Sequence, residues 1–242
     1  MRKISISVFV LAASVMVPAS AMAQMTWTDK GYVSATVGGQ AGSHTLTSEP
    51  EYTLYDEPGT LATSQKVGGG AFVDFGGGYK VWHNLVLGIS YSHVGSSSDA
   101  VVAAQVPDPA VFDRPRAVTT TLPDADYSEN SLHFSAVWMI PVTDKIDVGV
   151  AAGPSVFFVK QDLPTGLNVT EPGPTVTSVI SASTKKTVGG FHTGVDVTYL
   201  LTKKIGAGLL ARYTFGSVDF PGATDSLTVG GFQFGIGLRY RF

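Results

Sequence analysis

Along most of the chain apolar residues fall on every second position, the repeat of a strand with two unlike faces rather than of a helix. From 231 to 242 the even positions hold Phe232, Phe234, Ile236, Leu238, Tyr240 and Phe242, and the odd positions hold Gly231, Gln233, Gly235, Gly237, Arg239 and Arg241. The same alternation runs through residues 71–81, 85–93, 131–140, 146–158, 191–199 and 205–215, and more weakly through 32–40. Eight strands are predicted. Their connectors alternate in length: 81–84, 141–145 and 201–204 are tight, 41–65, 95–127 and 160–186 are long, and 217–225 is intermediate. The Thr- and Val-rich stretches 117–121 and 175–187 predict that the fourth and sixth strands run on as a hairpin crown. The connectors hold most of the prolines, which predicts irregular paths there.

The two faces decide the solvent. One carries bulky Phe, Tyr, Trp, Leu and Val; the other is mostly Gly and Ser with a few charges. A soluble barrel buries its apolar face inside. The interior of an eight-stranded barrel, however, is only just wide enough for side chains, so the bulky face must point outward. Only a bilayer tolerates that much apolar exterior, and closure of the sheet satisfies the backbone within hydrocarbon. Aromatic residues lie where interfacial girdles belong: Tyr79, Trp82, Trp138, Tyr199, Tyr240 and Phe242 by the short turns, and Tyr91, Phe158, Tyr213 and Phe215 towards the long connectors. The fold expected is all-β, an eight-stranded antiparallel transmembrane β-barrel with short periplasmic turns and long extracellular loops.

Composition narrows the picture further. The 242 residues suffice for one barrel, and the 14% charged residues fall well short of the usual share of about 25%. Cysteine is absent, which excludes thiolate catalysis, Cys-type zinc sites and disulfide staples. A net charge of −3 argues against nucleic acid as a partner. Arg2 and Lys3, the apolar run 4–17 and Ala21-Met22-Ala23 read as a cleaved signal peptide over 1–23, with the barrel domain at 24–242; an uncleaved anchor is the alternative. No later stretch approaches the roughly 20 apolar residues of a spanning helix.

The last segment, 229–242, ending Leu-Arg-Tyr-Arg-Phe, resembles the carboxyl-terminal assembly signal of Gram-negative outer-membrane proteins. The mature chain as a whole resembles the eight-stranded outer-membrane β-barrel family that includes the OmpA transmembrane domain and the OmpW group. The resemblance implies residence in the cell outer membrane, with lipid, lipopolysaccharide and the barrel-assembly machinery as partners. It implies Tyr240 and Phe242 as the assembly signal. A monomer without cofactor is expected. The architecture hosts structural proteins, adhesins, small channels and lipid-modifying enzymes, so the family leaves activity open.

Inward parity collects Asp74, Glu129, Asp147 and Asp196 against Lys80, Arg212, Arg239 and Arg241, together with His133 and His192. Unpaired ions in so narrow a space are costly, so these are expected to pair as a lumen charge network. Lys80, Asp147, Arg239 and Arg241 lie near the short-turn mouth, and Asp74, His133, His192 and Arg212 about seven residues higher, near mid-membrane. Pairing across the 201–204 turn predicts Arg212 near His192, with Asp196 one or two rungs below and Asp74 and Glu129 as further acceptors. A structural plug is favoured over a gated polar pathway.

Catalytic chemistry is thin. Lipid A deacylase barrels carry an outward His-x-Ser pair, and His93 is outward near the loop end, but Gly95 stands where the nucleophile belongs. No spacing of the five histidines suits a metal. Acidic connectors (Glu49, Glu51, Asp56, Glu57; Asp99, Asp108, Asp113, Asp124, Asp126) predict a solvated acidic surface rather than a cation site. The function expected is structural or surface interaction without catalysis. A narrow channel for small or hydrophobic solutes, as the OmpW resemblance implies, comes second, and a lipid A-modifying enzyme third.

Overall fold

The computed structural model describes residues 26–242 apart from 43, 221 and 224; the signal peptide expected over 1–23 lies outside them. Eleven strands follow one another: β1 (Gly31–Ala41), β2 (His44–Ser48), β3 (Glu51–Leu54), β4 (Glu57–Val67), β5 (Gly70–Trp82), β6 (Leu85–Val106), β7 (Arg116–Thr143), β8 (Ile146–Thr170), β9 (Thr175–Leu200), β10 (Ile205–Val218) and β11 (Leu227–Arg241). Eight of them, β1 and β5 to β11, form an antiparallel ring that β1 closes by pairing with both β5 (Ala35↔Phe75) and β11 (Val33↔Tyr240). Closure leaves the spanning region without a free edge, the condition for crossing a bilayer with strands.

The pleat sorts side chains as the alternation dictates. Phe75, Trp82, Ile89, Phe134, Phe191 and Ile236 are exposed on the outside, while Thr36, Asp74, Ser92, His133, Arg212 and Gln233 are buried inside. Two short turns use one device. The hydroxyls of Thr143 and Thr202 accept from the backbone N–H groups two and three residues on (2 × Lys-Ile: Lys145 and Ile146, Lys204 and Ile205), which locks each turn.

The expected extension of the fourth and sixth strands is present, since β7 begins at Arg116 and β9 at Thr175, and the rest of the long connectors are strands where irregular paths were expected. Segment 41–65 contains β2, β3 and most of β4, and β6 to β9 continue as strands far beyond the membrane band. β4 pairs with β6 (Ala62↔Ala103), and β8 with β9 out to Thr170↔Thr175. The strands persist because their inward faces become apolar: Leu61, Val102, Ala104, Val106 and Leu167 pack as one core between the two arms of this crown. Prolines sit within these strands. Pro123 lies at the shift of register opposite Ser98–Ala100, and Pro164 at the shift opposite Ser181–Ile180, where a missing N–H is tolerated.

Candidate functional site

Among the described residues, charged side chains converge under cover in the barrel interior, which is built in tiers. At the periplasmic mouth Trp27, from the segment ahead of β1, folds beneath the barrel and is only 2% exposed. Its backbone N–H donates to Asn84 Oδ1 (3.0 Å), and Lys80 Nζ donates to its carbonyl (2.8 Å). Lys80 and Arg241 stand 5.8 and 5.9 Å from its ring, within cation–π range. Arg241 pairs with Asp147 and with Asp29 (3.4 Å). Just above, Arg239 grips Asp196 and donates to Thr36 (2.9 Å), while Thr198 donates to the same carboxylate (2.9 Å).

Arg212 occupies the middle of the lumen, 6% exposed. Its guanidinium meets Asp74 at 2.8 Å and donates to Gln233 (2.7 Å), Ser92 (2.5 Å) and Ser90 (3.2 Å); Ser92 in turn donates to Asp74. The register sets Arg212 opposite Gly194, whose lack of a side chain leaves room, so the arginine reaches across to β5. Of the neighbours expected for Arg212, Asp74 is the one that engages it, 138 residues away in sequence; His192 lies one tier aside and Asp196 belongs to Arg239. A small cavity of about 90 Å³ separates this tier from the mouth, room for a handful of waters.

His133 and His192 stack edge to face, centroids 4.9 Å apart, and share the Ser155 hydroxyl at 2.8 and 2.9 Å; His192 also meets Ser135 at 2.9 Å. No carboxylate contacts either ring, so the serine–histidine contact lacks the third group that orients a hydrolytic base. Glu129 is fully buried and meets no cation among the described residues. It accepts from Tyr127 (2.9 Å), Ser131 (3.3 Å) and the backbone N–H of Gly230 (3.0 Å). Gly230 aims that N–H inward through a φ of 91°, a left-handed conformation that favours glycine. Gln233 donates to Gln40 (2.7 Å), which itself donates to the Gly230 carbonyl (3.3 Å).

Above Glu129 the lumen turns apolar. Leu46, Val67, Tyr127, Phe157, Val159, Val218, Phe220, Leu227 and Val229 form a packed neck. All ten residues expected in the lumen thus face inward. Six make three ion pairs, Lys80 serves Trp27, and Glu129 with the two histidines is held by neutral groups. Trp27 and the neck escaped the sequence reading; a lone tryptophan just ahead of the first strand was the available signal for the former. Tyr240 and Phe242, the residues expected as an assembly signal, point outward, and the Phe242 backbone pairs with Lys30 and Gly31 to close the barrel. No group of His, Asp and Glu suited to a metal occurs among the described residues.

Solved outer-membrane proteins are similar at low identity. Neisserial surface protein A matches at 15% identity over 88% of this chain and 97% of its own, with a TM-score of 0.44. OprG from Pseudomonas aeruginosa matches at 11% over 88% and 97%, TM-score 0.42. The outer membrane protease OmpT from Escherichia coli matches at 11% over 90% and 98%, TM-score 0.46. No curated protein matches the sequence. The family model for the outer membrane protein beta-barrel domain matches residues 9–242, and the chain belongs to that family, placed in the outer membrane.

Proposed function

We propose that this protein is a sealed outer-membrane barrel that acts without catalysis, as a structural element and as a carrier of its extracellular crown. The observation that carries the reading is the lumen itself. From Trp27 through the Arg239–Asp196 and Arg212–Asp74 pairs to the Phe157 neck, successive tiers are occupied by packed or hydrogen-bonded side chains. Short turns face the periplasm and the crown faces outside. A monomer suffices, because the ring closes on itself.

Planar-bilayer recording tests the seal. The wild-type barrel is expected to give no steady conductance, and the triple change Trp27→Ala, Arg212→Ala and Phe157→Ala, which opens the mouth, the middle tier and the neck, to give measurable current. A wild-type conductance for small solutes would replace this reading with the narrow channel. The absence of catalysis is tested by mass analysis of lipid A after expression, which is expected to show no lost acyl chain. Gly95 offers no nucleophile two residues beyond His93, which supports that outcome.

A further inference from the structure

The outer wall carries two adjacent lysines that make no ion pair among the described residues. On the outward face of β6 to β9 the register aligns Gly95, Ser128, Lys160 and Lys185 in one row across four strands. Lys160 and Lys185 are therefore direct cross-strand partners, with Cβ atoms about 5 Å apart, a placement that destabilises a sheet when both are charged. Among the described residues neither lysine makes an ion pair. Asp126 and Asp162 stand one rung higher, and Asp162 is engaged by the Ser183 hydroxyl.

The level of this row in the membrane is fixed by what lies below it. The outward residues of β8 are Val148, Val150, Val156 and Phe158, and Lys160 is the first charge above them. One rung below the lysines run His93, Asn130, Phe158 and Thr187. Tyr91 donates to Asn130 Oδ1 (2.6 Å) and His93 Nδ1 meets the same oxygen (2.9 Å), which fixes the imidazole. The row thus tops the aromatic girdle, where lipid headgroups begin.

There is also space. Gly95, Ser97, Asp126, Ser128 and Lys160 line an open hollow of about 370 Å³. A Cβ on Gly95 would meet only His93 Nε2, at 3.6 Å, so packing does not demand glycine here. The missing side chain keeps open a recess with Lys160 and the Ser128 hydroxyl in its wall, the His93 imidazole beside Gly95, and the Asp126 carboxylate on the side away from the membrane.

We propose that this recess binds a phosphate of an outer-leaflet glycolipid, with Lys160 and Lys185 as the charged contacts and Ser128 and His93 beside them. An ammonium group binds phosphate as a point charge through three donors, and two ammonium groups this close are relieved by one shared anion. The acyl chains would then lie against Tyr91, Leu132 and Phe158, already exposed to lipid. The proposal rests on the outer-membrane setting and is independent of whether the lumen is sealed.

The test measures binding of bisphosphorylated lipid A to the purified barrel in zwitterionic detergent by native mass spectrometry. Lys160→Ala with Lys185→Ala is expected to weaken binding at least about tenfold, the scale of losing charge-assisted contacts. Lys160→Arg with Lys185→Arg is expected to retain it, and dephosphorylated lipid A to bind wild type as weakly as the alanine variant binds the phosphorylated form. Heat-dependent gel mobility verifies that each variant is folded. Unchanged binding by the folded alanine variant, or equal binding of dephosphorylated lipid, would overturn the proposal. Displacement of the lipid by millimolar inorganic phosphate would overturn the assignment to a lipid.

Discussion

β6 passes through two environments without changing its parity. Within the membrane band its inward residues are Ser90 and Ser92 and its outward ones Leu87, Ile89 and Tyr91; in the crown the inward residues are Ala100, Val102, Ala104 and Val106, while Ser97 and Asp99 face out. β8 does the same, from Asp147 and Ser155 inside to Phe157, Val159 and Leu163, and from Val150 and Phe158 outside to Lys160 and Asp162. The pleat is blind to solvent; the sequence inverts its polarity where the solvent changes from lipid to water. In the lower region the polar interior holds together through ion pairs in a space too narrow for alternatives. In the crown an ordinary apolar core does so, and the exterior gains charges and hydroxyls among a few exposed apolar residues such as Val101 and Ile180. The two regions should therefore fail in different ways.

The largest expected effect is on the spanning region. Arg212→Ala leaves Asp74 buried without its cation, which costs roughly 3–5 kcal/mol when a buried pair is broken from one side. The barrel should lose its heat-resistant gel mobility at a lower temperature than wild type, with the crown's protease resistance lost in the same step. Leu61→Ala, in the fully buried crown core, should cost about 2–5 kcal/mol locally, the range for a large-to-small core change. There the expected signature is proteolytic nicking within β2 to β4 at a temperature where the barrel still migrates as folded. If Leu61→Ala unfolded the barrel in step with the crown, the two regions would be one cooperative unit and the contrast drawn above would be wrong.

Legibility in the sequence divides along the same line. The eight spanning strands and the inward placement of Asp74, Arg212, Arg239 and Arg241 were readable because a period of two leaves no choice of face once one face must meet lipid. Which acceptor Arg212 takes was less so: Asp74 stood beside Asp196 and Glu129 as a neighbour within reach, and the choice among them depends on the stagger of the closed ring. The crown was legible only where Thr- and Val-rich stretches mark β7 and β9; the parts from β2 to β4 and the upper half of β6 were not, for a different reason. Ala100-Val101-Val102-Ala103-Ala104 shows no alternation at all, so its strand and its buried face are set by the arms it packs between rather than by its own pattern. Trp27 lay outside every periodic segment and could be placed only by the fold.

The smallest expected effect concerns how the two crown arms are tied at their tip. Arg116, where β7 begins, meets Glu171, in the turn between β8 and β9, through two hydrogen bonds of 2.6 and 2.9 Å, and it approaches Asp108 at 3.9 Å. Tyr55, between β3 and β4, adds a hydrogen bond to Glu171 (3.3 Å). The hydrogen bonds and charge of Arg116 hold the Glu171 carboxyl below its ordinary pKa. A carboxylate depressed in the folded state stabilises above its unfolded pKa and ceases to do so as pH falls through the folded value. The clasp should accordingly be intact at neutral pH and open only in acid, below the usual carboxylate range. Both partners are partly exposed, so salt should weaken the clasp as well. The protection of the β8–β9 tip against hydrogen exchange, taken relative to the intrinsic rate at each pH, is expected to fall in acid in the wild type, while Glu171→Gln should show the lower protection already at neutral pH and little further change on acidification. The Leu61 core should be indifferent to both changes. Equal acid sensitivity in Glu171→Gln would mean that other carboxylates govern the tip, and that the crown, like the lumen beneath it, depends on more than one ion pair.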